Sequence, residues 1–147
     1  MATEAPMTLP NPHFENSYAR VFGHGIGMNK NADAFFARFY EHFLATPEVA
    51  EMFADTDLQQ QQLMLKKSVL HLVTYYAVGA LTPDLQRLAE RHRQLKVASE
   101  LLDVWMQALL TTLREFDREA DEVTELAWCW AMAPGIAYMR QVMSQKS

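Results

Sequence analysis

Residues 82–95 read TPDLQRLAERHRQL. Thr82, Pro83 and Asp84 form a helix start. The hydroxyl caps a free N–H, the proline fixes φ for the first turn, and the acid sits at the positive end of the helix dipole. Leu85, Leu88, His92 and Leu95 follow at spacings of 3, 4 and 3 residues, which is one face of an α-helix. That face is apolar except at His92. An imidazole there satisfies itself with a hydrogen bond, caps the helix end, or ligates a metal that faces a pocket. The spacing fixes the element and leaves these three roles open.

The flanking segments are helical too. Upstream, Asp57 with Gln60 three residues later resembles a capping box. It opens a helix that reaches about Val78 and is ended by Gly79. Gln61, Leu65, Ser68 and Leu72 form one stripe of that helix at roughly 100° per residue. Gln61 therefore faces inward, where an amide needs partners at both ends, unless its head reaches solvent or a backbone group. Thr46, Pro47 and Glu48 start a short helix ending near Phe53. Before it, Asn31 to about Ala45 carries Phe35, Phe36, Phe39, Tyr40 and Phe43. The Tyr40 phenol on this face points into a cavity or reaches the surface. A first helix fits His13 to Phe22 and is broken by Gly23, Gly25 and Gly27.

Downstream, Leu102, Trp105, Leu109, Leu113 and Phe116 keep helical step over Ser99–Phe116. A last helix fits about Ala120 to Met143, with a kink expected at Pro134-Gly135. Met132, Met139 and Met143 are expected in the core as gap-fillers. No segment reads as a strand. The expected fold is all-α, about seven helices of unequal length in ridges-into-grooves packing. Residues 1–12, with Pro6, Pro10 and Pro12, read as a flexible arm, and residues 13–147 as one domain.

Composition narrows the function. The chain has 147 residues, with 13 Lys plus Arg against 18 Asp plus Glu and a net charge of −5. No basic stripe appears, so nucleic acid and anionic membrane are not expected partners. The one cysteine, Cys129, excludes an intramolecular disulfide and a cysteine-based zinc site. The N-terminus lacks the basic and apolar regions of a signal peptide. The longest uncharged runs, Ser68–Pro83 and Leu126–Met139, fall short of the ~18 residues of a membrane span. A soluble, cytoplasmic protein is expected. HExxH, GxxxxGK[ST] and GxGxxG are all absent.

The run Phe39-Tyr40-Glu41-His42-Phe43, then Pro47-Glu48-Val49, then Met52-Phe53, resembles the second and third helices of bacterial globins. Gln61 and Leu65 follow where the distal helix of that family begins. Leu88-Ala89-Glu90-Arg91-His92 is similar to its proximal helix, and Leu109-Leu110, Leu113 and Phe116 to the helix after it. In order and spacing these pieces resemble single-domain globins and the haem domain of flavohaemoglobins. The resemblance implies a globin fold around a haem b pocket. His92 would be the proximal iron ligand. Phe53 would pack on the haem, with Leu65 above the sixth coordination site and Leu88 beneath the porphyrin. Tyr40 and Gln61 would be the distal hydrogen-bonding pair. Tyr40 stands one residue closer to Pro47 than in flavohaemoglobins, so Phe36 and Phe39 compete for the distal position. Where flavohaemoglobins carry a Tyr and a late Glu behind the proximal histidine, this chain has Leu102 and about Gln145. A weaker electron push onto His92 follows.

The function so implied is reversible binding of dioxygen, nitric oxide or carbon monoxide at ferrous haem, with slow oxygen release. Nitric oxide dioxygenation would follow if a separate reductase supplied electrons. The alternatives are a gas or redox sensor acting through a partner protein, and a haem-free globin-like interaction module. Either a monomer or a homodimer fits.

Overall fold

The structure, a computed structural model, describes residues 11–23 and 31–145. Most of the expected arm, with His24, Gly25 and Gly27, lies outside the described residues. Seven α-helices follow one another: α1 Pro12–Phe22, α2 Asn31–Phe43, α3 Pro47–Met52, α4 Leu58–Val78, α5 Pro83–Gln94, α6 Leu101–Phe116 and α7 Glu122–Met143. No strand occurs among the described residues.

Local chemistry sets the boundaries. Asp57 accepts from the N–H groups of Gln59 and Gln60 at 3.0 and 3.4 Å, and Thr82 Oγ1 accepts from Leu85 N at 3.1 Å. Two boundaries differ from expectation because side-chain caps override the apolar pattern. Asn11 accepts from Phe14 N at 3.4 Å, so Asn11 and Pro12 belong to α1 rather than to an arm. Asp121 accepts from Thr124 N at 2.9 Å and delays α7 to Glu122. Gly79 ends α4 at φ 75°, with its N–H bonded to Tyr75 O at 2.8 Å. A residue with a Cβ pays in steric strain in that region.

Helix α7 packs against α4, α5 and α1, while α2 packs on α6 and α4. The largest fully buried side chains include Phe22, Phe35, Phe36, Phe39, Trp128 and Met132. Met139 and Met143 are buried too, as expected of gap-filling methionines. Helix α7 runs unbroken through Pro134 and Gly135. A Cβ built on Gly135 would meet Leu72 Cδ2 at 2.2 Å, so this position lets α4 approach α7 closely.

One buried polar chain ties α1 to the α6–α7 corner. Trp128 Nε1 donates to Ser17 Oγ at 2.9 Å, and Ser17 Oγ donates to Asp117 Oδ2 at 2.6 Å. Arg20 grips the same carboxylate through Nε and Nη2 at 2.8 and 2.9 Å. Burial alone would raise the Asp117 pKa, but Arg20, Ser17 and the Glu119 N–H hold it below the usual carboxylate range.

Candidate functional site

Helix α5 places His92 in its last turn, half-buried, on the side defined by Leu85 and Leu88. The His92 Nδ1 lies 2.8 Å from the Leu88 carbonyl oxygen. A carbonyl only accepts, so Nδ1 carries a proton, and in the neutral ring it is Nε2 that has the lone pair. Nε2 makes no hydrogen bond among the described residues. The backbone thus satisfies one ring nitrogen and leaves the other free as a donor to a metal, with the ring orientation held from behind.

A second group forms where α2 meets α3 and α4. Tyr40 is 5% exposed, and its hydroxyl donates to the Gln61 backbone carbonyl at 3.3 Å. Burial pushes its pKa up to about 12, so the phenol stays protonated and remains a donor. The Phe53 ring lies edge-on to Tyr40 with centroids 5.8 Å apart, and Phe43 lies 6.2 Å from Phe53. Phe36 stacks on Phe22 at 5.7 Å, and Phe39 meets Trp105 at 5.7 Å. Of the three aromatic residues that compete for the position, it is Tyr40 whose side chain bonds to the start of α4. Gln61 is half-buried, and its side-chain amide makes no hydrogen bond among the described residues. Leu65, one turn further, is buried.

The structure therefore brings Tyr40, Phe53 and Gln61 together at one end of α4, and pairs Leu88 with His92 on α5. Helix α5 packs against α4. A groove of about 350 Å³ runs between α3 and the α5–α6 turn, its walls including Glu48, Met52, Leu95 and Lys96. None of Tyr40, Phe53, Gln61, Leu65, Leu88 and His92 lines this groove, so it is distinct from both groups. Two residues beside the Tyr40 and His92 groups are not marked by the sequence reading. Phe43 lies on the α2 stripe but was given no role at the site. Lys96 adopts φ 58°, a left-handed conformation in which α5 closes with Val97 N bonded to His92 O at 3.1 Å. Nothing in the sequence marks a lysine for that conformation.

The donor set suits a metal that arrives in a ring. Among the described residues no group of three His, Cys, Asp or Glu side chains converges on a metal position. His92 Nε2 is a single neutral imidazole donor, which matches an iron already held by a macrocycle. The Tyr40 phenol and the unengaged Gln61 amide lie beside apolar side chains, a setting in which a polar donor is strengthened. His42 Nε2 lies 3.1 Å from Glu115, which also accepts from Arg38, in an exposed cluster on the surface.

No family model matches the chain, and no curated protein does. Among solved structures, a protein of Pseudomonas aeruginosa PAO1 matches with a TM-score of 0.77 and 33% sequence identity, over 92% of this chain and 98% of that chain. That protein is described as structurally highly homologous to a human hemoglobin.

Proposed function

The chain belongs to the bacterial single-domain globins, and we propose that it binds haem b through His92 and takes up dioxygen, nitric oxide or carbon monoxide on the face opposite that histidine. The observation that carries this reading is the Leu88 carbonyl on His92 Nδ1 at 2.8 Å, which fixes the ring and frees Nε2. Ferrous haem, when bound, supplies an open coordination position for a diatomic ligand and, with a reductant, one-electron chemistry.

The side chains divide the remaining work. His92 would hold the cofactor, and Leu88 would pack against it. Phe53 and Leu65 would keep water from the bound ligand. The Tyr40 hydroxyl and the Gln61 amide donate to a diatomic molecule that gathers negative charge on binding, and such donors gain strength where water is excluded. Nitric oxide dioxygenation belongs to the same site. It consumes one electron per nitrate formed, so a separate reductase is its implied partner. No described helix is long and apolar enough to cross a membrane.

The test is an absorption titration of the purified protein with haemin, repeated on His92→Ala. We expect a sharp Soret band at one haem per chain, altered or lost in His92→Ala and recovered on adding free imidazole. Failure of the folded wild-type protein to take up haem would overturn the reading.

A further inference from the structure

Helix α7 is apolar on two opposite sides. Its inner side, with Trp128, Ala131, Met132 and Gly135, is buried in the core. Its outer side carries Val123, Leu126 and Trp130, exposed to 49%, 62% and 42%, and then Ala133 and Ala137, both exposed. The five residues follow at spacings of 3, 4, 3 and 4, so they form one stripe about 21 Å long at 1.5 Å per residue. A helix that is apolar all round belongs in an interior, and an exposed apolar stripe marks an association surface.

The stripe is ordered in a way that selects its occupant. Its bulky residues lie in the N-terminal half and its alanines in the C-terminal half. We propose that a second copy of this chain packs α7 against α7 in antiparallel fashion, about a two-fold axis that crosses the helix near residues 131–132. In that register Trp130 faces Ala133 of the second copy, and Leu126 faces its Ala137, large side chain against small. Charge agrees with size. Glu122 and Arg140 are five turns apart, on one flank of the stripe, and the two-fold sets Glu122 of one copy beside Arg140 of the other at both ends. Glu122 has no hydrogen bond or ion pair among the described residues. Arg140 is held in place by the Ser99 carbonyl at 3.3 Å and Asp103 at 2.7 Å. A parallel pairing would set Trp130 on Trp130 and Glu122 on Glu122, which sterics and like charge oppose. One helix pair covers less than the ~800 Å² per partner of a standard interface, so the dimer forms in a concentration-dependent manner.

Sedimentation velocity on the full chain over a concentration series tests this without reference to haem. We expect the wild type to shift from monomer to dimer as concentration rises. Leu126→Glu and Trp130→Glu each hold the chain monomeric, with far-UV circular dichroism unchanged. Glu122→Arg weakens the dimer by about tenfold, and adding Arg140→Glu to the same chain restores it. A covalent test does not depend on those variants. Leu126→Cys with Ala137→Cys in a Cys129→Ser background forms a disulfide-linked dimer on oxidation. The two positions lie about 16 Å apart along one helix, too far for a bridge within the chain. A monomer at every concentration, a dimer indifferent to Leu126→Glu, or a charge swap that restores nothing overturns the proposal.

Discussion

The proposed site rests on a phenol and an imidazole, and each is oriented by a backbone carbonyl. Tyr40 donates to Gln61 O and His92 Nδ1 to Leu88 O. Removing the Tyr40 donor forfeits one hydrogen bond, about 1–1.5 kcal/mol, so Tyr40→Phe should speed oxygen release by roughly tenfold. Tyr75→Phe should leave it nearly unchanged, and stopped-flow mixing reads both rates. Equal rates in the two variants would remove Tyr40 from the ligand's surroundings. The same phenol answers to pH. Its folded pKa of about 12 lies above the ordinary value of 10.0, so neutral Tyr40 contributes stability below pH 10 that is lost as pH rises through 12. Phenolate absorbance should show a last titration step near pH 12, absent in Tyr40→Phe. Tyr40, Gln61 and His92 stood out in the sequence because they interrupt apolar faces. Which atom each one bonds was not legible, because a stripe gives direction and no partner.

At the scale of the element, two glycines at helix boundaries and contacts predict opposite kinds of loss. Gly79 has open space around a would-be Cβ but a φ of 75°, so Gly79→Ala should cost about 1 kcal/mol through backbone strain alone. Gly79→Asn should cost less, because asparagine tolerates that region better. Gly135 carries no such φ, but a Cβ there would stand 2.2 Å from Leu72 Cδ2. Gly135→Ala should destabilise by about 1–3 kcal/mol through overpacking, and Leu72→Ala in the same chain should relieve part of that loss. Urea unfolding of the single and double variants separates the two causes, since the Gly79 variants should show no coupling to Leu72. Helix existence was legible throughout from caps and apolar spacing. The starts of α1 and α7 were displaced by Asn11 and Asp121, whose capping role outweighs the pattern of apolar residues beside them. Pro134-Gly135 read as a kink inside the last helix, whereas Gly135 is a contact between α4 and α7 and is visible only once those helices are packed.

For the whole molecule, the buried chain Trp128–Ser17–Asp117–Arg20 joins the first helix to the last. Asp117→Asn keeps the shape and removes the charge that Arg20 meets, and should destabilise the fold by about 2 kcal/mol near neutral pH. The Asp117 pKa is lowered on folding, so its contribution is full above the ordinary carboxylate value of 3.8 and is lost as pH falls below it. The gap between wild type and Asp117→Asn should therefore narrow on acidification, as read by urea unfolding at neutral and acid pH. A gap that stays constant would mean the carboxylate titrates normally. Seven helices in this order were legible in the sequence. The joining of residues 100 apart in the chain was not, because no local period carries it.

The Tyr40 hydroxyl is already engaged, and this bears on discrimination between gases. Any molecule that recruits it must displace the Gln61 carbonyl at 3.3 Å. A strongly polarised diatomic gains more from the phenol than the carbonyl loses, whereas a weakly polarised one does not. Tyr40 would then act as a threshold rather than a uniform attractor. Its replacement by Phe should lower the affinity ratio of dioxygen over carbon monoxide while leaving carbon monoxide affinity almost where it was.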